Sequence, residues 1–414
     1  MRTEPERSSW KPEERFPPPL SFIGVPGQYS YDSRALWDRG YYDLTVNDDV
    51  NLLANNFNVK EVITTYYGQA EFESELAGKP LYGNVGFQMI HSDQSSIGLA
   101  ANGVGVLPVT GQHDYWDFVP SLNLILDLNE NQKIRLSLAR QLARQEMVDF
   151  RSNSTYGFNE ALYLSTDPQL SPWSGSGGNP ELEPWRSNSL DLTYEHYFED
   201  GKGYWAINGF YKDLVNYTYN ESTLADFTGF DTNSNLVPAI FQGFRTVPVN
   251  GDGGKLYGLE ATISVPGELI ADPLEGFGLI LSGSLTKSSI EPTPGSTQEI
   301  PGLSEKVVNA TLYYEKGGFS ARVSSRYRSE YRGDISTFGP RGEIFRNLQA
   351  ETVIDAQIGY SFQEGMLEGM SVTLQGSNLT DEPLFATQGD TDDRLVQDYQ
   401  LYGAEYTLGI SYKF

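Results

Sequence analysis

Apolar and polar residues alternate through most of this chain, from about residue 62 to the C-terminus. The last stretch shows the pattern without interruption. Its odd-numbered and even-numbered positions form two sets: Tyr402, Ala404, Tyr406, Leu408, Ile410, Tyr412 and Phe414 alternate with Gly403, Glu405, Thr407, Gly409, Ser411 and Lys413. A period of two is typical of a β-strand with one apolar face and one polar face. The chain is therefore predicted to be all-β.

Segments with this pattern are six to ten residues long. They include 122–128, 257–265, 277–286, 319–327, 354–362 and 370–375. A tilted strand needs about 9–11 residues to cross a bilayer, whereas strands of soluble proteins are most often about 5–6 residues long. Length therefore favours transmembrane strands over the strands of a soluble β-sandwich.

The connections between these segments alternate between short and long. Short polar turns stand at 77–80, 129–132, 199–203, 315–318 and 363–366. Long stretches rich in Gly, Ser, Asn and Pro lie between them, near 150–184, 220–252, 290–304, 333–349 and 381–398. Outer-membrane barrels have this asymmetry, with short periplasmic turns and long external loops. The sequence therefore predicts a transmembrane antiparallel up-and-down β-barrel.

The barrel is expected to be incomplete in this chain. Residues 59–414 give about thirteen strands, whereas bacterial single-chain barrels have an even number. Residues 1–58 are rich in Pro, Asp and Asn and are predicted to be an external loop segment, partly irregular. The first strand would then run downward from an external loop. The two edges, near 60–75 and 400–414, are expected to leave an open curved sheet or to pair with each other.

Composition limits the chemistry that the chain can perform. The formal net charge is −26, which argues against binding to nucleic acid because phosphates would repel the chain. There is no cysteine, and the histidines His91, His113 and His196 have no metal-ligand spacing. We therefore predict no catalytic residues, no metal site and no cofactor. The acidic stretch 389–393 could hold a calcium ion, but a solvated loop is the simpler interpretation.

Three local motifs resemble those of one known family. They are Gly178-Asn179-Pro180-Glu181-Leu182-Glu183-Pro184, Asn378-Leu379-Thr380-Asp381-Glu382-Pro383 and the terminal Tyr412-Lys413-Phe414. The first two are similar to the G-N-P-x-L-x-P and N-L-x-D-x-P elements of TonB-dependent outer-membrane receptors. The third resembles a barrel-assembly signature, carried by Tyr412 and Phe414. The resemblance covers roughly residues 60–414. It implies the C-terminal part of a barrel of about 22 strands, without the plug domain, the TonB box or the first strands.

The resemblance implies an outer-membrane receptor of a Gram-negative bacterium that takes up a nutrient by TonB-coupled transport. The implied partners are outer-membrane lipid, the TonB complex through the missing plug domain, the barrel-assembly machinery and a small-molecule nutrient. The segments 93–96 and 116–123 look like those of a branch linked to oligosaccharide uptake. The alternatives are a siderophore or metal-chelate receptor, a passive porin-like channel and a soluble carbohydrate-binding protein. The fragment is not expected to be competent alone.

Aromatic residues are the candidates for ligand binding, because sugars stack their C–H faces on aromatic rings. Four of them stand in or beside the predicted external loops: Tyr115, Trp116, Trp173 and Trp185. Tyrosine and tryptophan also form the interfacial girdles of such barrels. For Trp116 and Trp185, which lie near strand ends, the girdle is the preferred interpretation. Trp173 lies deep in the long loop 150–184, where both roles are open.

Overall fold

The computed structural model describes residues 50–53, 55–102, 105–198, 201–291, 297–337, 343–389 and 394–413. One helical turn, α1, spans Val50–Leu53, and short 3₁₀ turns span Glu160–Leu162, Pro168–Leu170, Gly267–Leu269 and Asp272–Leu274. The strands are β1 (Asn58–Leu76), β2 (Lys79–Ala101), β3 (Val106–Asn129), β4 (Gln132–Ala143), β5 (Ser154–Phe158), β6 (Trp173–Gly177), β7 (Trp185–Phe198), β8 (Gly203–Asp226), β9 (Gln242–Pro266), β10 (Phe277–Ile290), β11 (Lys306–Lys316), β12 (Phe319–Arg328), β13 (Tyr331–Thr337), β14 (Glu343–Leu348), β15 (Glu351–Ser361), β16 (Met370–Ser377), β17 (Leu384–Gln388), β18 (Val396–Gln400) and β19 (Glu405–Tyr412). No helix among these residues is long and apolar enough to cross a membrane.

Thirteen strands form one antiparallel ladder in the part of the chain that the structure describes. Their order is β1-β2-β3-β4-β7-β8-β9-β10-β11-β12-β15-β16-β19. Five short connections lie at one end of this ladder and join β1 to β2, β3 to β4, β7 to β8, β11 to β12 and β15 to β16. At the other end residues 102–105 join β2 to β3, so short connections are not confined to one end. One two-residue turn joins β1 to β2 through Ala77 and Gly78, whose φ angles are positive at 53° and 72°. The predicted up-and-down β-barrel is confirmed, while the total of about 22 strands for a complete barrel stays a prediction.

The ring of paired strands closes through a short hairpin. β5 and β6 pair with each other, β5 pairs in parallel with β2, and β6 pairs in parallel with β9 over residues 174–176. The circuit therefore runs β2-β3-β4-β7-β8-β9-β6-β5. Within the described ranges, β1 pairs only with β2 and β19 only with β16. The sequence predicted an open sheet or closure between these edges. The closing strands lie instead in the stretch 150–184, which was predicted to be a loop.

Apolar residues lie on the outer face of the ladder. Leu374 of β16 is in register with Leu408 of β19, and Val372 is in register with Ile410. Leu408 and Ile410 are 67% and 68% exposed. Exposed apolar rows of this kind face hydrocarbon in an outer-membrane barrel. Tyr412 lies on the same face, in register with Met370, as the alternation predicted. Its proposed partner in the assembly signature, Phe414, lies outside the described residues.

Four further strands build a second sheet, in the order β13-β14-β17-β18. They occupy stretches in which the sequence predicted long external loops. Phe385 packs edge-to-face on Tyr399 with ring centroids 5.9 Å apart, and Arg346 pairs with Asp398 at 2.6 Å. These contacts give the loops an internal structure of their own. Residues 1–49, most of the predicted irregular segment, and residues 390–393, most of the acidic stretch, lie outside the described residues.

Candidate ligand-binding site

The β2–β3 hairpin is longer than a bilayer requires. The two strands have 23 and 24 residues, whereas about 9–11 residues cross a membrane. Along β2 the outward side chains change from apolar Phe87 and Met89 to polar His91 and Asp93. The inward side chains become buried over the same stretch, because Ser92, Gln94 and Ser96 are 0–2% exposed. The external half of this hairpin therefore packs against other parts of the chain on its inner side.

Residues 178–184, which we call the strap, cover this inner side. The Gln94 side-chain amide donates hydrogen bonds to the carbonyl oxygens of Pro180 and Leu182, both at 2.7 Å. Leu182 is completely buried. On β3, a Cβ atom at Gly111 would lie 2.4 Å from Cγ of Pro180. Only glycine at this position leaves room for the strap, so the motif recognised in the sequence is a packing element against β2 and β3.

The other side of the strap is bound to β9. The Glu183 backbone N–H donates to Oδ1 of Asn250 at 2.8 Å, and the Asn250 side-chain amide donates to the Glu183 carbonyl oxygen at 2.8 Å. The Asn179 side chain donates to the carbonyl oxygen of Pro248 at 3.0 Å. The strap therefore bridges β2 and β9 across the inner side of the barrel.

Charged side chains reinforce this bridge. Arg186 donates from Nε to Asp117 at 2.5 Å and from Nη1 to Glu183 at 2.6 Å. His113 Nε2 lies 3.2 Å from Oε1 of Glu183. Burial acts to raise the pKa of Glu183, but the hydrogen bonds from Arg186 and His113 outweigh it and hold that pKa below its ordinary value. A second ion pair joins Arg144 to Glu61 of β1.

The β5–β6 hairpin contributes side chains to an aromatic cluster. Trp173 is at its centre, is 2% exposed, and stacks on Phe227 with centroids 5.5 Å apart and an interplanar angle of 4°. Its indole N–H donates to the carbonyl oxygen of Ile240 at 3.2 Å. Tyr156 and Phe158 of β5 also contact the ring. The cluster holds the hairpin that closes the barrel circuit.

The structure does not bring the four predicted ligand-binding aromatics together. Trp173 is enclosed in this cluster, and Tyr115 is 7% exposed on the inner side of β3. A ring without an accessible face cannot stack on a solute, so the structure assigns both to packing. Trp116 points to the outer face, 54% exposed, and stacks on His91 at 4.6 Å. That position is typical of an interfacial girdle.

Trp185 is the candidate that keeps a partly exposed ring beside the strap. It stacks on Tyr217 with centroids 4.9 Å apart, and its indole N–H donates to Oγ1 of Thr218 at 2.7 Å. Sequence reasoning missed the side chains that fix the strap, namely Gln94, Asn250 and Arg186. Residues 91–96 are all polar and show no alternation, so the sequence carried no periodic signal that could have identified Gln94.

No group of three or more potential metal ligands occurs among the residues that the structure describes. The second recognised motif is also structural. Asn378 has a φ of 49°, and its side-chain oxygen accepts from the Glu382 backbone N–H at 2.8 Å. The Asn378 backbone N–H donates to Oδ1 of Asp355 at 2.9 Å. The motif therefore ties β15 to the turn that follows β16.

Comparison with known proteins supports the architecture. The TonB-dependent receptor-like β-barrel model matches residues 9–379. No curated protein sequence matches the chain. The solved siderophore receptor PirA of Acinetobacter baumannii aligns with a TM-score of 0.55 at 14% identity, over 86% of this chain and 55% of that one.

Two further solved structures give similar values. The siderophore receptor PiuA of Acinetobacter baumannii has a TM-score of 0.54 at 13% identity, over 86% of this chain and 44% of that one. A mutant of the ferric enterobactin receptor of Pseudomonas aeruginosa, in complex with enterobactin, has a TM-score of 0.52 at 13% identity, over 85% and 54%. At these identities the likeness shows the fold alone, and the chain spans about half the length of these proteins. Because the family model covers most of the chain, the protein belongs to the family of TonB-dependent receptor-like β-barrels.

Proposed function

We propose that this chain is the C-terminal barrel part of an outer-membrane receptor that takes up a small nutrient by TonB-coupled transport in a Gram-negative bacterium. Family membership over residues 9–379 is the observation that carries the proposal. The partly exposed, ion-paired side chains of Glu183 and Arg186 support the proposal, because they make the inner side polar, as a route for a hydrophilic solute requires. We further propose that coupling to TonB resides in a plug domain outside this chain, so that the chain transports nothing alone.

The proposed substrate is an oligosaccharide. Trp185 supports this choice, because its ring lies beside the strap and next to amide and hydroxyl groups. Its indole N–H donates to the Thr218 hydroxyl, which also accepts a hydrogen bond from the Gln145 side-chain amide. Aromatic rings next to polar hydrogen-bonding groups suit the two kinds of surface on a sugar. The second candidate is a siderophore or another metal chelate, which is favoured by the siderophore receptors among the similar solved structures.

Energy-dependent uptake tests the proposal. The complete receptor would be produced in a Gram-negative host with and without active TonB, and uptake of a labelled oligosaccharide and of a labelled ferric siderophore would be measured. We expect one of the two to accumulate only in the strain with active TonB. Equal accumulation in both strains would instead identify a passive porin-like channel and reject the proposal.

Trp185 provides the substitution that separates the two substrate classes. A Trp185→Ala variant should weaken oligosaccharide binding by about 1–3 kcal/mol, the scale of a well-placed aromatic contact. The matched control is Trp116→Ala, whose ring lies on the outer face and should not contact the solute. Equal oligosaccharide affinity for wild type and Trp185→Ala, with both folded, would remove Trp185 from the site.

A further inference from the structure

Arg245 of β9 differs from the other half-buried arginines of the described residues. Its side chain has no hydrogen-bond or ion-pair partner there, and only its backbone carbonyl accepts a bond, from Thr223. The other half-buried arginines each have a partner: Arg135, Arg140, Arg144, Arg151, Arg186, Arg328, Arg332 and Arg346. An unpaired guanidinium withdrawn from water is unfavourable. The site therefore lacks an anionic partner.

The register of the strands places Arg245 on the inner side of the barrel wall. Arg245 is paired with Thr223, and the next inward pair is Ala225 with Gly243. Directly paired residues share one face of a sheet, and alternate pairs share the same face. Ala225 packs against the aromatic cluster, and a Cβ atom at Gly243 would lie 2.5 Å from the Trp173 carbonyl oxygen. Arg245 therefore faces the same interior as Trp173.

Among the described residues, Glu181 of the strap is the acidic side chain that acts on Arg245, and it does not form an ion pair with the guanidinium. Burial lowers the pKa of Arg245, and the Glu181 carboxylate opposes this effect from a distance without forming an ion pair. Glu181 itself is solvent-exposed. On its other edge Arg245 is in register with Gly175 of β6, which adds no side chain to the site. The guanidinium thus keeps its fork of N–H donors free on the inner side of the strap and the hairpin.

We propose that Arg245 forms an anion-binding subsite at the external end of the barrel interior and takes a carboxylate or phosphate group. A guanidinium donates two parallel hydrogen bonds to either group, which makes it the preferred residue for planar oxyanions. The inference rests on the proposed function, because it assigns a charge class to the transported solute. An acidic sugar or an anionic chelate would meet this requirement, whereas a neutral oligosaccharide would leave Arg245 unpaired.

Binding to the purified complete receptor in detergent tests the subsite. The probes are glucuronate, its neutral counterpart glucose, and inorganic phosphate, and the readout is tryptophan fluorescence, because Trp173 lies next to the site. We expect glucuronate to bind more tightly than glucose. Arg245→Gln should weaken glucuronate binding by about 10- to 100-fold, the scale of a lost charged hydrogen bond. Phosphate binding as tight as that of glucuronate would identify a free oxyanion as the ligand.

Two further variants keep the test decisive. Arg245→Lys retains the charge without the fork and should give an intermediate loss, and it serves in place of Arg245→Gln if the latter does not fold. The control is Arg326→Gln on β12, an exposed arginine without a partner in the described residues, which should leave both affinities unchanged. Equal anion binding by wild type, Arg245→Gln and Arg245→Lys would overturn the proposal. This binding assay needs neither TonB nor transport. A receptor that binds the anion but takes up nothing would reject the proposed function, whereas a receptor whose anion binding does not depend on Arg245 would reject the subsite.

Discussion

The side-chain amide of Gln94 lies 2.7 Å from the carbonyl oxygen of Leu182, and this bond joins the barrel wall to a segment 88 residues away in the chain. The same amide reaches Pro180 at 2.7 Å. Both Gln94 and Leu182 are shielded from water. The strap therefore depends on one side chain for the pairing of two of its backbone carbonyls.

Replacing Gln94 should loosen the strap. Gln94→Ala leaves the buried Leu182 carbonyl and the partly buried Pro180 carbonyl without donors. An unsatisfied buried group costs about 1–3 kcal/mol. We expect a lower midpoint of urea unfolding and faster hydrogen exchange of the strap amides. The matched control is Gln88→Ala, because Gln88 is on the same face of β2 but is exposed. Unfolding midpoints that are equal for the two variants would show that the Gln94 bonds add nothing to stability.

The attachment of the strap should weaken in acid. The pKa of Glu183 is below its ordinary value in the folded chain, because the hydrogen bonds from Arg186 and His113 outweigh the effect of burial. A carboxyl with a lowered folded pKa binds protons more readily when unfolded. Its contribution is therefore complete above the unfolded value of about 4.3, and it is lost as the pH falls through the folded value.

The measurement is strap hydrogen exchange against pH for wild type and Glu183→Gln. Only the wild type should show this acid-dependent loss of protection. Glu181→Gln is the control, since Glu181 is exposed on the same strap and makes no ion pair with Arg186. Identical pH profiles for wild type and Glu183→Gln would contradict the predicted role of the ion pair.

The aromatic cluster should determine the stability of the closing hairpin. Trp173→Ala removes a ring that is 2% exposed, and large-to-small changes of this kind cost about 3–5 kcal/mol. We expect earlier proteolysis within residues 154–177 and a lower unfolding midpoint. Trp116→Ala is the comparison, because that ring is on the outer face and should leave proteolysis of the hairpin unchanged. Equal proteolysis of wild type and Trp173→Ala would show that the cluster does not hold the hairpin.

The two edge strands should prevent the isolated chain from forming a heat-resistant monomer. Within the described residues β1 and β19 each pair on one side only, and exposed edges pair with other chains or aggregate. On a gel without boiling, we expect this chain alone to migrate as an unfolded or aggregated species. A compact, fast-migrating band that disappears on boiling would contradict this expectation.

The ladder could be predicted from the sequence because the lipid-facing side of each strand imposes a strict period of two. Leu408 and Ile410 show why: one face of the strand contacts hydrocarbon, so every second side chain is apolar. The closing hairpin could not be predicted in this way. β5 and β6 have five residues each and carry Gly and Ser, as a loop does. Their strand form depends on contacts with β2 and β9, which are distant in the chain.

The candidate site was less accessible to sequence reasoning than the fold. Trp173 and Tyr115 were predicted to bind a ligand because they are aromatic and lie in external segments, yet burial decides their role and depends on tertiary packing. Arg245 had no motif around it. Arg245 is a candidate because its guanidinium has no partner among the described residues. The sequence cannot show this, because the neighbours of a side chain are known only once the strands, the strap and the hairpin are placed in three dimensions.

The neighbours of β3 change along its length, so the membrane-spanning part of the sheet and its external part are held by different contacts. β3 pairs with β4 only from Ser121 downward, and the part of β3 above that point pairs with β2 alone. Substitutions, insertions or deletions between residues 144 and 184 therefore leave the β3–β4 and β4–β7 pairs within the bilayer in place. Separate sets of contacts therefore hold the external segment 144–184 and the membrane-spanning ladder.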